Sequence, residues 1–202
     1  MVNADLVIEP VPEDLEIKRA LYSALGAAAP EKTIFATNSS TLLPSDLKDP
    51  TGRPDRFLAL RYANNVWRQN TAEVMGTTDT DPEVFRAVVD FAERSGLVPI
   101  EIRKEKAGYV LNSLLVPLLN AAAGLVLEGV ADPETVDKTW RRGTGAPSGP
   151  FQIYDVIGLT TAYHVAVASP EPAGQVWAAY LKANCLDQGK LGIPTREGFY
   201  RY

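Results

Sequence analysis

The chain has 202 residues, 46% apolar and 22% charged, enough to bury a sizeable core in one large or two small domains and too apolar for a disordered chain. A net charge of −5, with no run of Lys and Arg interleaved with aromatics, argues against a nucleic-acid binder. One cysteine, Cys185, and an opening Met1-Val2-Asn3-Ala4-Asp5 without a basic or apolar run point to the cytoplasm and away from secretion.

From Leu6 to Ile102 short β-branched runs alternate with amphipathic stretches, the pattern of a mostly parallel sheet covered by helices. Strands are expected at Leu6 to Glu9, Thr33 to Ala36, Phe57 to Leu60, Ala72 to Met75 and Val98 to Ile102. Pro99 puts the last at an edge or bulge. A helix is expected over Pro12 to Ala29, with Glu13 and Asp14 as an acidic first turn at the positive end of its dipole. A second is capped by Asp81 and opened by Pro82, buries Val84, Val88, Phe91 and Ala92, and ends at Gly96.

After Lys106 the strand signal stops. Helices are expected over Tyr109 to Val130, Pro133 to Arg141, Phe151 to Ala168 and Pro172 to Leu186. The change of period at Arg103 to Lys106 divides the chain into an α/β part, residues 1–105, and an all-α part, residues 106–202. The apolar stretch Leu114 to Leu127, interrupted by Pro117, Asn120 and Gly124, is too short for a bilayer and reads as a core helix, so no membrane is expected as partner. No set of metal ligands is assigned.

Four segments carry a family pattern. They are Ala4 to Glu13, a strand leading to a glutamate; Phe35-Ala36-Thr37-Asn38-Ser39-Ser40; Leu60-Arg61-Tyr62-Ala63-Asn64 with Glu73 twelve residues after Arg61; and Gly108-Tyr109-Val110-Leu111-Asn112-Ser113. Together they resemble the 3-hydroxyacyl-CoA dehydrogenases. That resemblance implies a Rossmann-like NAD-binding domain followed by a helical domain that dimerises, and NAD-dependent oxidation of short-chain 3-hydroxyacyl-CoA.

Carried over by position, it places Glu13 and Lys18 at the cofactor, Ser40 and Asn112 beside Glu73 in the catalytic set, and Asn38 and Asn64 near the substrate. The residues alone leave plainer readings open: helix-turn charges for Glu13 and Lys18, a turn capping a short helix for Asn38 to Ser40, and a turn for Asn64-Asn65. The only histidine, His164, reads as a surface or interface residue.

One departure dominates. Arg61 occupies the position of the family's catalytic histidine, and a guanidinium stays protonated, so it clamps anions but accepts no proton. With Glu73 it is expected to form a structural ion pair; alternatively it grips a carboxylate ligand. Arg142 and Arg196 replace an expected apolar residue and a glycine.

The Gly-x-Gly-x-x-Gly turn that cradles a dinucleotide does not occur; Gly143-Thr144-Gly145 lacks the third glycine and follows a helix. The chain is therefore expected to be a truncated scaffold with little or no activity and doubtful NAD binding. The alternative is a non-catalytic or engineered oligomer built on that scaffold. A homo-oligomer, at least a dimer, is expected through the helical part and the open edge of Leu6 to Glu9; acyl-CoA remains a candidate ligand.

Overall fold

The computed structural model describes residues 3–202; Met1 and Val2, part of the opening read above for a leader, lie outside the described residues. The chain forms two compact units, one ending at Ser113 and one beginning at Leu114. This division falls eight residues beyond the expected boundary at 105/106, because the first turn of the helix that opens at Tyr109 packs with the sheet.

The first unit holds strands β1 (Leu6–Glu9), β2 (Ile34–Thr37), β3 (Phe57–Tyr62), β4 (Thr71–Gly76) and β5 (Val98–Ile102), with helices α1 (Leu15–Ala28) and α2 (Pro82–Arg94). Strand order is β1-β2-β3-β4-β5, every pair parallel except β3 with β4. β1 and β5 are the edges, as Pro99 requires of the latter.

Side chains on a strand alternate between faces. Ala36, Leu58, Leu60, Ala72 and Val74 form one core with Val84, Val88, Val89 and Ala92 of α2. Phe91, expected in that stripe, is exposed, and Val89 takes its place on the buried face. On the opposite face Phe35 and Phe57 pack edge-on to Tyr22 of α1, at 6.2 and 4.9 Å between ring centroids.

α1 starts later than the sequence suggests. Asp14 is its cap, accepting from the N–H groups of Glu16 and Ile17, so Glu13 precedes the helix instead of lying in its first turn. α2 keeps the expected cap: Asp81 accepts from Glu83 N.

The second unit contains the rest of α3 (Tyr109–Leu127) with α4 (Pro133–Thr144), α5 (Pro150–Ile157), α6 (Leu159–Val167) and α7 (Pro172–Asn184). The single helix expected over Phe151 to Ala168 is two, because Gly158, with φ +91°, leaves the right-handed region and breaks the ladder. The core joins Leu119, Val136, Leu159 and Leu181 to an aromatic group in which Trp177 stacks on Tyr180 at 4.9 Å and Phe199 at 6.2 Å.

Two buried aspartates tie the C-terminal tail to this unit. Asp155 accepts from the N–H groups of Phe199 and Tyr200 and the hydroxyl of Tyr202; Asp137 accepts from Phe151 N, Gln152 N and the Tyr200 hydroxyl. α3 is not the core helix expected. Only Tyr109, Leu119, Ala122 and Ala123 of its 19 residues are buried, and by length and composition it is apolar enough to cross a membrane.

Arg196 caps the turn Ile193–Thr195 with φ +59°. A β-carbon in that left-handed region costs about 1 kcal/mol that glycine does not incur. Arg196→Gly is therefore expected to stabilise the fold by up to about 1 kcal/mol, less the added freedom of the unfolded chain. Urea unfolding of the two proteins checks it; a fall in stability contradicts the strain.

Candidate functional site

Because β1, β2 and β3 run parallel, their carboxyl ends gather at one side of the sheet, where α/β proteins present groups to ligands. Two clusters form there. The first is a buried charge network: Lys18, 1% exposed, donates to Glu9 Oε1 at 2.7 Å and to the Val11 carbonyl at 3.1 Å, while Glu9 Oε2 accepts from Tyr22 and Thr37 hydroxyls. A buried ion pair of this kind is tolerable only because every polar atom finds a partner.

Lys18 also lies 3.6 Å from Glu13, whose other oxygen accepts from Ser39 Oγ, from the N–H groups of Ser40, Thr41 and Leu42, and from the Thr41 hydroxyl. Glu13 thus organises the loop after β2. Ser40, singled out in the sequence, meets Glu13 through its backbone N–H, while the buried Ser39, not singled out, meets it through its side chain. Lys18, enclosed as it is, reaches a ligand only by holding Glu13.

The second cluster follows from strand register. Arg61 of β3 and Glu73 of β4 are direct cross-strand partners on the face that carries Ala59 and Met75. Arg61 Nη1 donates to Glu73 Oε2 at 2.5 Å and Nη2 to Asn112 Oδ1 at 3.2 Å, and the guanidinium carbon lies 5.5 Å from the centroid of the Tyr109 ring. Glu73 Oε1 accepts from the N–H groups of Val110 and Leu111, at 2.8 and 2.9 Å, in the first turn of α3. A carboxylate there meets the positive end of the helix dipole.

Arg61, Glu73 and Asn112 therefore come together as expected. Asn38 stands nearby, its Oδ1 accepting from Tyr62 N at 3.0 Å. Asn64 does not join them: it is exposed in the β3–β4 connection and, among the described residues, makes no hydrogen bond to the cluster. Tyr109 escaped the sequence reading. It is fully buried with φ +55° and a hydroxyl without a partner, and burial pushes its phenol well above the usual range. An aromatic directly after Gly108 at the opening of an apolar helix was the sequence signal that could have marked it.

A dinucleotide needs backbone N–H groups and small residues around its pyrophosphate. The β1–α1 turn offers Pro10, Pro12, Glu13 and an N-terminus already capped by Asp14, so its residues do not fit a pyrophosphate.

Half-burial alone would raise the pKa of Glu13, but hydrogen bonds from Ser39, Thr41 and Leu42 outweigh it and hold the carboxyl at about 2 against an ordinary 4.5. A depressed pKa contributes stability that is present above about 4.5 and lost as pH falls towards 2. Amide exchange at Ser40, Thr41 and Leu42 is expected to accelerate over that window and to be fast throughout in Glu13→Gln. Carboxyl titration near the ordinary value would contradict this.

The models of two domains match nearly the whole chain: the 3-hydroxyacyl-CoA dehydrogenase NAD binding domain over residues 1–106 and the 3-hydroxyacyl-CoA dehydrogenase C-terminal domain over residues 108–202. Mitochondrial hydroxyacyl-coenzyme A dehydrogenase of Mus musculus is 36% identical over 99% of this chain, and the chain spans 64% of that relative's length. For the 3-hydroxybutyryl-CoA dehydrogenase of Clostridioides difficile the figures are 32%, 99% and 72%.

Among solved structures, one described as a diketoreductase in substrate-directed dual catalysis of dicarbonyl compounds is 67% identical, with TM-score 0.97 over all of this chain and 71% of that one. The (S)-3-hydroxybutyryl-CoA dehydrogenase of Ralstonia eutropha is 29% identical, with TM-score 0.80 over 98% of this chain and 70% of that one. With both domains matched in order, the chain belongs to the 3-hydroxyacyl-CoA dehydrogenase family.

Proposed function

We propose that this chain keeps the frame of an NAD-dependent 3-hydroxyacyl-CoA dehydrogenase without an effective proton acceptor, and turns over little or no substrate. The observation that carries the reading is the Arg61 guanidinium, spent on Glu73 at 2.5 Å and Asn112 at 3.2 Å. Oxidising a secondary alcohol needs a base poised near neutrality to take the hydroxyl proton. A bound nicotinamide would supply the hydride acceptor, but the chain offers no neutral imidazole beside Glu73. Asn38, Ser40 and Asn112 remain as groups able to hold a carbonyl oxygen.

Loss of a general base costs a factor of roughly 10²–10⁴. NADH oxidation with acetoacetyl-CoA, and with simple dicarbonyl compounds because of the 67% identical diketoreductase, is expected to show no saturable turnover. Arg61→His is expected to raise any residual rate about 100-fold or more if a cofactor is held. Saturable turnover by the unaltered chain that Glu73→Ala abolishes would overturn the proposal.

A second reading, an assembly role, draws on exposed apolar surface. Leu114 and Val130 are 70% and 65% exposed, Val110, Leu111 and Leu125 are also exposed, and β1 leaves one edge without a strand partner among the described residues. We infer a homo-oligomer, at least a dimer, covering the α3 face. The single buried thiol, Cys185, pushed up to about 11 by burial, suits a reducing cytoplasm. Light scattering is expected to give a mass at least twice the 21.9 kDa of one chain, reduced by Leu114→Lys. A monomer at micromolar concentration would remove this reading.

A further inference from the structure

Lys138, Arg141 and Arg142 lie three and four residues apart on α4 and so share one helix face. That face walls an open groove of about 460 Å³, lined also by Gln152 at the start of α5 and by Tyr200. The size falls within the range of small-molecule sites, about 300–1,000 Å³. None of the three cations has an ion-pair partner among the described residues.

The acids of the groove leave its lining net positive, Lys138, Arg141 and Arg142 against the carboxylates of Glu134 and Asp137. Asp137 is 3% exposed and already matched by Phe151 N at 2.8 Å, Gln152 N at 2.9 Å and the Tyr200 hydroxyl at 3.0 Å. Glu134 stands one turn before Lys138, four residues away on the same face, and about 10 Å along the axis from Arg141, so its charge offsets part of Lys138 and leaves the two arginines free of it. Cations in a last helical turn also offset its carbonyl charges, but that contribution requires neither a concavity nor Lys138 a turn earlier.

We propose that this groove binds a phosphate-bearing small molecule of nucleotide size. Arg141, Arg142 and Lys138 hold the phosphates, and the Tyr200 ring forms the wall for the remainder. Arginine forks suit phosphate oxygens, and a lysine adds a point charge. The groove lies wholly within the second unit, so the site is independent of the Arg61 cluster and of any turnover there.

The test is calorimetric titration of the full chain with inorganic pyrophosphate and with ADP, against sodium chloride at matched ionic strength. Saturation below about 1 mM is expected, tighter for ADP than for pyrophosphate. Neutralising both arginines (Arg141→Gln with Arg142→Gln) is expected to weaken binding roughly tenfold or more, whereas Arg86→Gln, an exposed cation outside the groove, leaves it unchanged. Both arginines of the groove are exposed, and unchanged melting of the double variant confirms that its fold is intact. No saturable heat with either ligand at millimolar concentration, no gain for ADP over pyrophosphate, or equal affinity in the double variant overturns the proposal.

Discussion

The antiparallel register of β3 on β4 sets what the site can be. It places residue 61 opposite Glu73 on one face of the sheet, so whatever side chain occupies position 61 must settle its charge with that carboxylate. Arginine does so completely, with one nitrogen on Glu73, another on Asn112 and its plane against Tyr109. Slipping β4 by one residue against β3 would turn Glu73 to the α2 face, bury its carboxylate among valines and leave Arg61 without it. The ion pair and the fold are thus specified by the same alternation.

Carboxylates recur as joints in both units. Glu73 receives the first N–H groups of α3, Asp137 those of α5, Glu13 gathers the loop after β2, and Asp155 holds the tail. Each satisfies donors that a helix start or an irregular turn leaves without a backbone partner. The geometry demands the acid even where no reaction needs it. For Asp155, burial outweighs the hydrogen bonds it accepts and raises its pKa, so deprotonation costs stability there as pH rises; Glu13 titrates in the opposite sense.

Much of this was legible in the sequence. Short apolar runs at Phe57 to Leu60 and Ala72 to Met75 located two interior strands, and Asp81-Pro82 marked a helix start that the structure confirms. The pairing of Arg61 with Glu73 was expected from their charges, and the family pattern put Asn112 at the same site; the bond from Arg61 to Asn112 was not foreseen. Other features lay beyond local pattern. The break at Gly158 is a single dihedral inside an apolar run, and the bond from Ser39 depends on where Glu13 comes to rest, 26 residues away in sequence. The exposure of α3 could not be read from apolar content, which looks alike for a core helix and an interface.

Persistence of the frame says little about persistence of the reaction, and the two oxygens of Glu73 show why. Oε1 serves Val110 and Leu111 and does not depend on residue 61; Oε2 alone faces the position where a base would work. An imidazole at 61 would still leave the first turn of α3 held by Oε1, and a guanidinium leaves it held now. The fold therefore uses Glu73 to seat the first turn of α3 whether or not a proton acceptor is present. Through Oε1 alone Glu73 is sufficient to hold the first turn of α3 against β4, whichever side chain stands at 61.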